Sequence, residues 1–322
     1  MEICNMSPTL TLTSTVEIQM VGLSVLEYLC KRFPYKTQEG WSESITSGKV
    51  VINGQSVIPA HILQHKDLVS YTSERNEPPV ATNIETLFED EHIWVVNKPA
   101  PLPVHSDGFF ILNTLIYILR ERSNNQDLRL AHRLDRETTG ILVLGKNQNI
   151  TSKLVTAFEE SNIEKWYLTL VKGEVDFQDK VIRGWMGPKP DGKVSKRQHL
   201  ITEAKEGYKE SASHFILQQQ LQGYSLLACE LLTGRTNQIR THLEFAGHPV
   251  VGDKLYGRPD DDYFHYVQDF KKARDLNVGN WDHPRHMLHA WKLSMNHPIT
   301  GEKLNLEAPL PQDMREFIDR NC

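Results

Sequence analysis

The alternation of apolar and polar positions divides the chain into a short stretch of helices and hairpin, a polar connection and a long mixed region. Residues 1–18 are polar and rich in Ser and Thr, which predicts a flexible N-terminus. From residue 19 to residue 71 the pattern tightens. Leu23, Leu26, Leu29 and Cys30 recur at helical spacing, and Pro34 ends that helix. A second short helix is expected over Gly40–Ser47, with Trp41 and Ile45 on one face. GKVVINGQSV then reads as a hairpin turning at Asn53-Gly54, followed by a strand over Asp67–Tyr71. Residues 72–83, with Pro78-Pro79, are expected to be a linker.

Residues 84–322 form the second region. Strands are expected at Glu85–Phe88, Ile93–Val96, Ile141–Leu144, Trp166–Val171, Ser213–Gln219 and Tyr224–Leu232, and near residues 287–295 and 303–306. Helices are expected at Leu112–Arg122, Asn149–Glu159 and Asn237–Phe245. The last of these has Ile239, Leu243 and Ala246 on one face. Residues 258–284 are polar and read as an irregular surface insertion. There is more strand than helix and no strict βαβα alternation, which favours an α+β fold over a doubly wound one.

Composition narrows the class. With 322 residues, 39% hydrophobic, the chain has material for a large domain and a small one. A formal net charge of −5 argues against a surface coated in positive charge, but leaves room for a local basic groove. Cys4, Cys30, Cys229 and Cys322 are far apart and suggest neither a disulfide framework nor a zinc site. No run of 18 apolar residues predicts a membrane span, and the N-terminus lacks the pattern of a secretory signal, so a cytoplasmic protein is expected.

Two stretches bear chemistry. HRLDRETTG, residues 132–140, sets Asp135 between Arg133 and Arg136 ahead of an apolar run. It reads either as a capped turn or as a carboxylate held at a loop-to-strand junction. Gly140 would admit a ligand or another backbone. Arg136 and Glu137 read as solvated. TGRTNQIRTHL, residues 233–243, gathers Arg235, Arg240 and His242 at the end of a strand, where Arg240 is a plausible partner for a buried aspartate. In EKWYLTLVKG, Trp166, Leu168 and Leu170 share one strand face and Tyr167 the other. Tyr167 reads as a core residue or as a stacking platform for a base. His283, His286 and His289 are three apart, but with Pro284 between them and no acidic or sulfur ligand close by, no metal is expected.

Taken together, HRLDRETTGILVLGK, VVNKPAPLPVH, EKWYLTLVKG, TGRTNQIRTHL, HPVVGDKLYG and MLHAWKLSMNHPITGEKLNLEAPLP resemble, in order, the motifs of the RluA family of RNA pseudouridine synthases. The resemblance covers about residues 85–310. Residues 21–71 resemble the S-four-type RNA-binding module that often precedes such domains. The resemblance implies a pseudouridine synthase fold: a central mixed, largely antiparallel sheet with a cleft across it, plus a small α/β RNA-binding module. It also implies isomerisation of uridine in structured RNA, ribosomal RNA ahead of transfer RNA, with no cofactor and no metal, by a protein that is usually a monomer.

By the same resemblance, Asp135 matches the catalytic aspartate, Tyr167 the active-site tyrosine and Arg240 the arginine paired with the aspartate. Arg133 matches the side chain that fills the gap left by the flipped base, and Arg235 and His132 are grouped with it as RNA-contacting. Asn237, Thr139, Gly140 and Ile239 are expected to support these residues. Lys98 and Pro99 match the family's NKP motif and His289 a motif position, without an assigned role. Asn237 stands where the family commonly has histidine. The upstream module carries Glu39 and Glu43 where arginines are usual. The rival class is a catalytically inactive RNA-binding protein on the same scaffold. A glycoside hydrolase would need a second catalytic carboxylate beside Asp135.

Overall fold

The computed structural model describes residues 3–4, 9–74, 77–107, 109–160, 163–190, 192–275 and 278–322. The chain divides into two compact units, Met6–Asn76 and Glu77–Cys322, the second also taking in Met1–Asn5.

In the small unit, helices α1 (Val25–Arg32) and α2 (Gln38–Thr46) accompany a four-stranded sheet ordered Thr9–Thr15, Leu68–Glu74, Val50–Ile52, Gln55–Ser56. Ser24 and Glu27 close a capping box at the start of α1, and the helix stops just short of Pro34. Asn53 and Gly54 turn the expected hairpin with φ of +50° and +80°. Tyr28, Leu29, Trp41, Ile45, Val50 and Val69 form its core.

The expectation of a flexible N-terminus is corrected for Thr9–Thr15, which pairs antiparallel with Leu68–Glu74 along its whole length. Its Thr-Leu alternation is a strand pattern, and β-branched threonine suits a pleated, half-exposed edge. Residues 1–2 and 5–8 of that segment lie outside the described residues. The expected linker is also ordered in part. Thr72–Glu74 continue a strand, and Val80–Ala81 pairs with Ile3–Cys4. Glu77 is buried, and its carboxylate accepts the backbone N–H groups of Ile111, Leu112 and Asn113 at 2.8–3.3 Å. It thereby satisfies donors just ahead of α3 (Leu115–Ser123). Residues 75–76 lie outside the described residues.

The large unit is an α+β arrangement around an 11-stranded sheet, counted among the described residues. Nine strands follow the order Gln198–Ile201, Asp179–Pro188, Lys209–Leu221, Tyr224–Leu231, Glu164–Lys172, Leu288–Asn296, Thr139–Gly145, Ile93–Lys98, Glu85–Glu89. Thr139–Gly145 runs parallel to Leu288–Asn296, while its other neighbours and the remaining pairs are antiparallel. Thr139–Gly145 is buried throughout, which is why it reads as an unbroken apolar run. Leu142 and Leu144 face one core with Tyr167 and Phe215, whereas Ile141 and Val143 face another with Ile150 and Leu293.

Helices α4 (Gln148–Glu159) and α5 (Gln238–Phe245) fall where the pattern predicts them. Residues 258–284 require a correction. They hold a 14-residue helix, α6 (Asp260–Ala273), which buries Tyr266 and Phe270 one turn apart. A final helix, α7 (Gln312–Asn321), packs Met314 and Phe317 beneath the sheet's outer core. No helix among the described residues is long and apolar enough to cross a membrane.

Candidate active site

A single row of residues crosses the sheet. Lys98 lies opposite Gly140, Gly140 opposite Ala290, Ala290 opposite Tyr167, and Tyr167 opposite Cys229. Gly140 has φ of +105°, and a Cβ there would stand 2.1 Å from the Ala290 carbonyl oxygen. Only glycine lets the two parallel strands approach this closely. The expected close approach is therefore by backbone, and it fixes where the preceding loop leaves the sheet.

That loop carries Asp135, whose side chain is 40% exposed. Arg240 donates from Nη1 to Asp135 Oδ2 at 2.8 Å. Its Nε and Nη2 donate to the two oxygens of Asp253 at 2.6 and 2.8 Å. Asp253 is fully buried, and its Oδ1 also accepts the N–H groups of Leu255 and Tyr256. Burial works against the charge on Arg240, but Asp253 and then Asp135 outweigh it and hold its pKa well above that of a free guanidinium. Burial likewise works against the Asp253 charge, and Arg240 outweighs it, keeping that carboxyl below its ordinary range. Asn237, in the left-handed region at φ +57° ahead of α5, accepts from Arg240 at 3.2 Å and donates to the Tyr256 hydroxyl at 3.2 Å. A short amide tolerates that backbone and offers both hydrogen-bonding functions at once.

Backbone groups of the same loop are held from below. Lys98 is fully buried and donates to the carbonyls of Pro99, Leu102 and Arg136 at 2.8–3.1 Å. Burial, then the Arg285 charge, lower its pKa well below that of a free amine. Arg285 donates to the Glu137 carbonyl at 3.2 Å and is clamped to both oxygens of Asp313. Thr138 meets His286 Nε2 at 2.7 Å, and Thr139 meets His289 Nδ1 at 2.9 Å. His289 Nε2 donates to the Ala308 carbonyl, so its Nδ1 accepts from Thr139. Burial pushes both imidazoles down to about 4. The three histidines of residues 283–289 thus have separate polar partners, and among the described residues no group of His, Cys, Asp and Glu is arranged to hold a metal.

A cavity of about 540 Å³ opens beside Asp135, within the size range of small-ligand clefts. Arg133, Asp135, Asn237 and Arg240 line it, as do residues 103–105, 107, 109 and 110 and the inner face of α6. Two expectations of solvated charge are corrected here. Arg136 donates to the Tyr266 hydroxyl at 2.8 Å and lies over the rings of Phe270 and Phe110. Glu137 is buried, bound by Lys254 at 2.9 Å and by the His286 N–H at 3.0 Å. Burial would raise its pKa, but Lys254, followed by His286 and Arg136, holds it far below the carboxylate range.

Other predicted residues lie away from the cavity. His132 accepts the Val143 N–H at 3.1 Å and packs on Phe158 at 4.4 Å, on the far face of the strand. Burial, followed by the Lys165 charge, pushes it down to about 3, so it is a neutral acceptor rather than an RNA-contacting cation. Arg235 is exposed and donates to the Glu210 carbonyl at 2.9 Å; its neighbours Thr236 and Asn237 line the cavity instead. Tyr167 and Ile239 belong to the core rather than to the cavity wall. Tyr167 is 9% exposed, and its hydroxyl pKa is raised by burial first and by Cys229 and Asp135 after that. The sequence pattern did not single out Asp253, Lys254 or Tyr266, although GDKLYG lies inside one of the quoted motifs.

A sequence model of the RNA pseudouridylate synthase family matches residues 92–245. The chain is 30% identical over 304 residues to the Bacillus subtilis RNA pseudouridine synthase YlyB, covering 89% of this chain and 92% of the relative. It is 30% identical over 313 residues to ribosomal large subunit pseudouridine synthase D of Neisseria meningitidis, covering 94% and 80%. It is 28% identical over 288 residues to ribosomal large subunit pseudouridine synthase C of Escherichia coli, covering 86% of each. Among solved structures, human RNA pseudouridylate synthase domain containing 1 is similar at a TM-score of 0.54 and 25% identity, covering 74% of this chain and 94% of that one.

Proposed function

The chain belongs to the RluA-type RNA pseudouridine synthases, and from that premise we propose how its residues serve the isomerisation of uridine and which RNA they serve it on. The observation that carries the reading is the relay from buried Asp253 through Arg240 to half-exposed Asp135 at the mouth of a nucleoside-sized cavity.

The reaction breaks the bond from the ribose to a ring nitrogen, turns the base and rejoins it through a ring carbon, which gives up its proton while the nitrogen gains one. Nothing is oxidised or reduced, so the balance calls for no redox cofactor. A stacked uridine has to leave the helix first, at a cost of a few kcal/mol. Arg133, exposed on the cavity rim, fills the vacated place and offsets part of that cost. Asp135 is the acting carboxylate. Attack on the sugar, addition to the base and removal of a sugar proton are all compatible with this one carboxylate, and Arg240 fixes its rotamer in each. Tyr167 lies in the core near enough to Asp135 for the carboxylate to raise its hydroxyl pKa, and it supports the site from the core side. Glu137 is committed to Lys254 and the His286 N–H, so it does not serve as the second carboxylate a glycoside hydrolase needs.

The relatives named as large-subunit synthases support ribosomal RNA of the large subunit as the substrate; action in the cytoplasm, as a monomer, belongs to the same proposal. The small unit is read as an S-four-type module that helps hold this RNA. The test is pseudouridine mapping of an unmodified large-subunit transcript incubated with the protein. New pseudouridine at a defined uridine is expected, none with Asp135→Asn, and an active Asp135→Asn would sink the assignment.

A further inference from the structure

Helix α6 walls one side of the cavity with residues at helical spacing: Tyr263, Tyr266, Val267, Phe270 and Lys271. Two of these are anchors. Tyr266 accepts the hydrogen bond from Arg136, and Phe270 stacks on Phe110 with 16° between the ring planes. Since Arg136 follows Asp135 directly, these contacts tie α6 to the loop that carries the carboxylate.

The remaining groups form a rim. At one end Tyr263 is half-buried, with the exposed Lys196 ammonium 4.8 Å from its ring centre. At the other end Phe109 is half-buried, with Arg274 at 5.0 Å and Lys271 at 6.0 Å. From Tyr263 to Arg274 the helix runs about 16 Å. The acidic start of α6 is largely neutralised within the protein, because Asp260 binds Arg197 and Asp261 binds Lys193. Asp107 lies on the same rim. Among the described residues, Lys196, Lys271 and Arg274 pair with no carboxylate, although the chain as a whole carries a net charge of −5.

We infer that this rim binds the RNA strand on either side of the flipped uridine. Tyr263 and Phe109 stack on neighbouring bases, and Lys196, Lys271 and Arg274 contact the phosphates. An aromatic face beneath an unpaired cation is how single-stranded nucleic acid is held without sequence readout. The inference rests on the proposed action on RNA and locates the substrate beyond the reacting nucleotide. The anchors place these platforms at a fixed distance from Asp135, so α6 sets how the flanking strand enters the site.

The test uses Tyr263→Leu, Lys196→Gln and Lys271→Gln in the full chain, with Phe264→Leu, on the exposed outer side of α6, as control. Two measurements are made: KM and kcat on an unmodified large-subunit transcript, and the affinity of a fluorescent oligouridylate across a salt series. Tyr263→Leu is expected to weaken oligouridylate binding about fivefold or more. Each Lys→Gln change is expected to reduce the salt slope by about 0.7. KM should rise in all three while kcat holds, and Phe264→Leu should match the parent protein. Unchanged affinity and slope in the three variants would overturn the rim assignment, as would a fall in kcat alone. A parent protein that makes no pseudouridine would overturn the proposed reaction instead, and the oligouridylate arm would still decide the rim.

Discussion

Arg240 and Asp253 are joined by two hydrogen bonds, at 2.6 and 2.8 Å, deep enough that Asp253 has no solvent exposure. The pair leaves Arg240 one free edge, and that edge meets Asp135. The buried carboxylate thus sets the position of the exposed one through the guanidinium.

Asp253→Asn should therefore affect both folding and chemistry. It removes the buried one of the two carboxylates that face this guanidinium and leaves only half-exposed Asp135, which costs roughly 3 kcal/mol. It also frees Arg240 to shift, and a displacement of about 1 Å at a reacting group costs on the order of a hundredfold in rate. Urea denaturation and initial rates of pseudouridine formation measure the two effects separately. Arg240→Lys should show both losses as well, because an ammonium cannot hold both carboxylates in a fork.

Asp135→Asn should separate chemistry from folding. The side chain is half in solvent, so the melting temperature should move by no more than about 3 °C. Product formation should fall by about ten-thousandfold or more. A variant that melts normally and remains active would remove Asp135 from the centre of the reaction.

Gly140→Ala tests the strand junction. The new methyl would meet the Ala290 carbonyl at 2.1 Å, on a backbone at φ +105° that alanine resists. A loss of about 3 kcal/mol or more is expected in chemical denaturation. Alanine at Gly207, where a Cβ meets nothing within 4 Å, bears only the backbone cost and should lose less.

Acid should destabilise the large unit before its carboxylates titrate generally. His286 and His289 are buried with pKa pushed from 6.5 to about 4. The unfolded chain protonates them first as pH falls below 6.5, so stability present above that pH is lost down to about 4, at up to about 1.4 kcal/mol per pH unit for each. Glu137, whose pKa is depressed by Lys254, acts in the same direction below about 4.5. Stability measured from pH 7 to pH 4 should fall, and His289→Asn should flatten part of that slope. An unchanged slope would contradict a neutral buried His289.

The pairing of Asp135 with Arg240 was legible because both lie in long motifs whose polar residues interrupt strong apolar patterns. Asp253 was not, since an aspartate beside Lys254 in a glycine-flanked turn has the look of a solvated pair. Helix α6 was hidden for a related reason. It buries two aromatics in 14 residues and exposes most of the rest, so its polarity resembles a loop. The strand Asp179–Pro188 was obscured by Gly184, Gly187 and Pro188, although Gly184 and Gly187 are needed there: a Cβ would strike the Ile201 carbonyl at one and the Tyr208 ring at the other. His132 shows the opposite error. Proximity to Asp135 in sequence put it in the site, but the strand that follows carries its ring to the opposite core.

Asp135 lies before the middle of the chain; Lys98 supports its loop from earlier in the sequence, but the side chains that hold the carboxylate and most of those beneath its loop come later. Arg240 and Asp253 follow by more than a hundred residues, and Arg285, His286, His289 and Asp313 follow after those. The parallel pairing of Thr139–Gly145 with Leu288–Asn296 closes across the same distance. A ribosome making this protein therefore exposes the aspartate early and its setting last. A chain halted before residue 285 would carry the carboxylate without the geometry, so competence to modify RNA arrives only with completion of the C-terminal third.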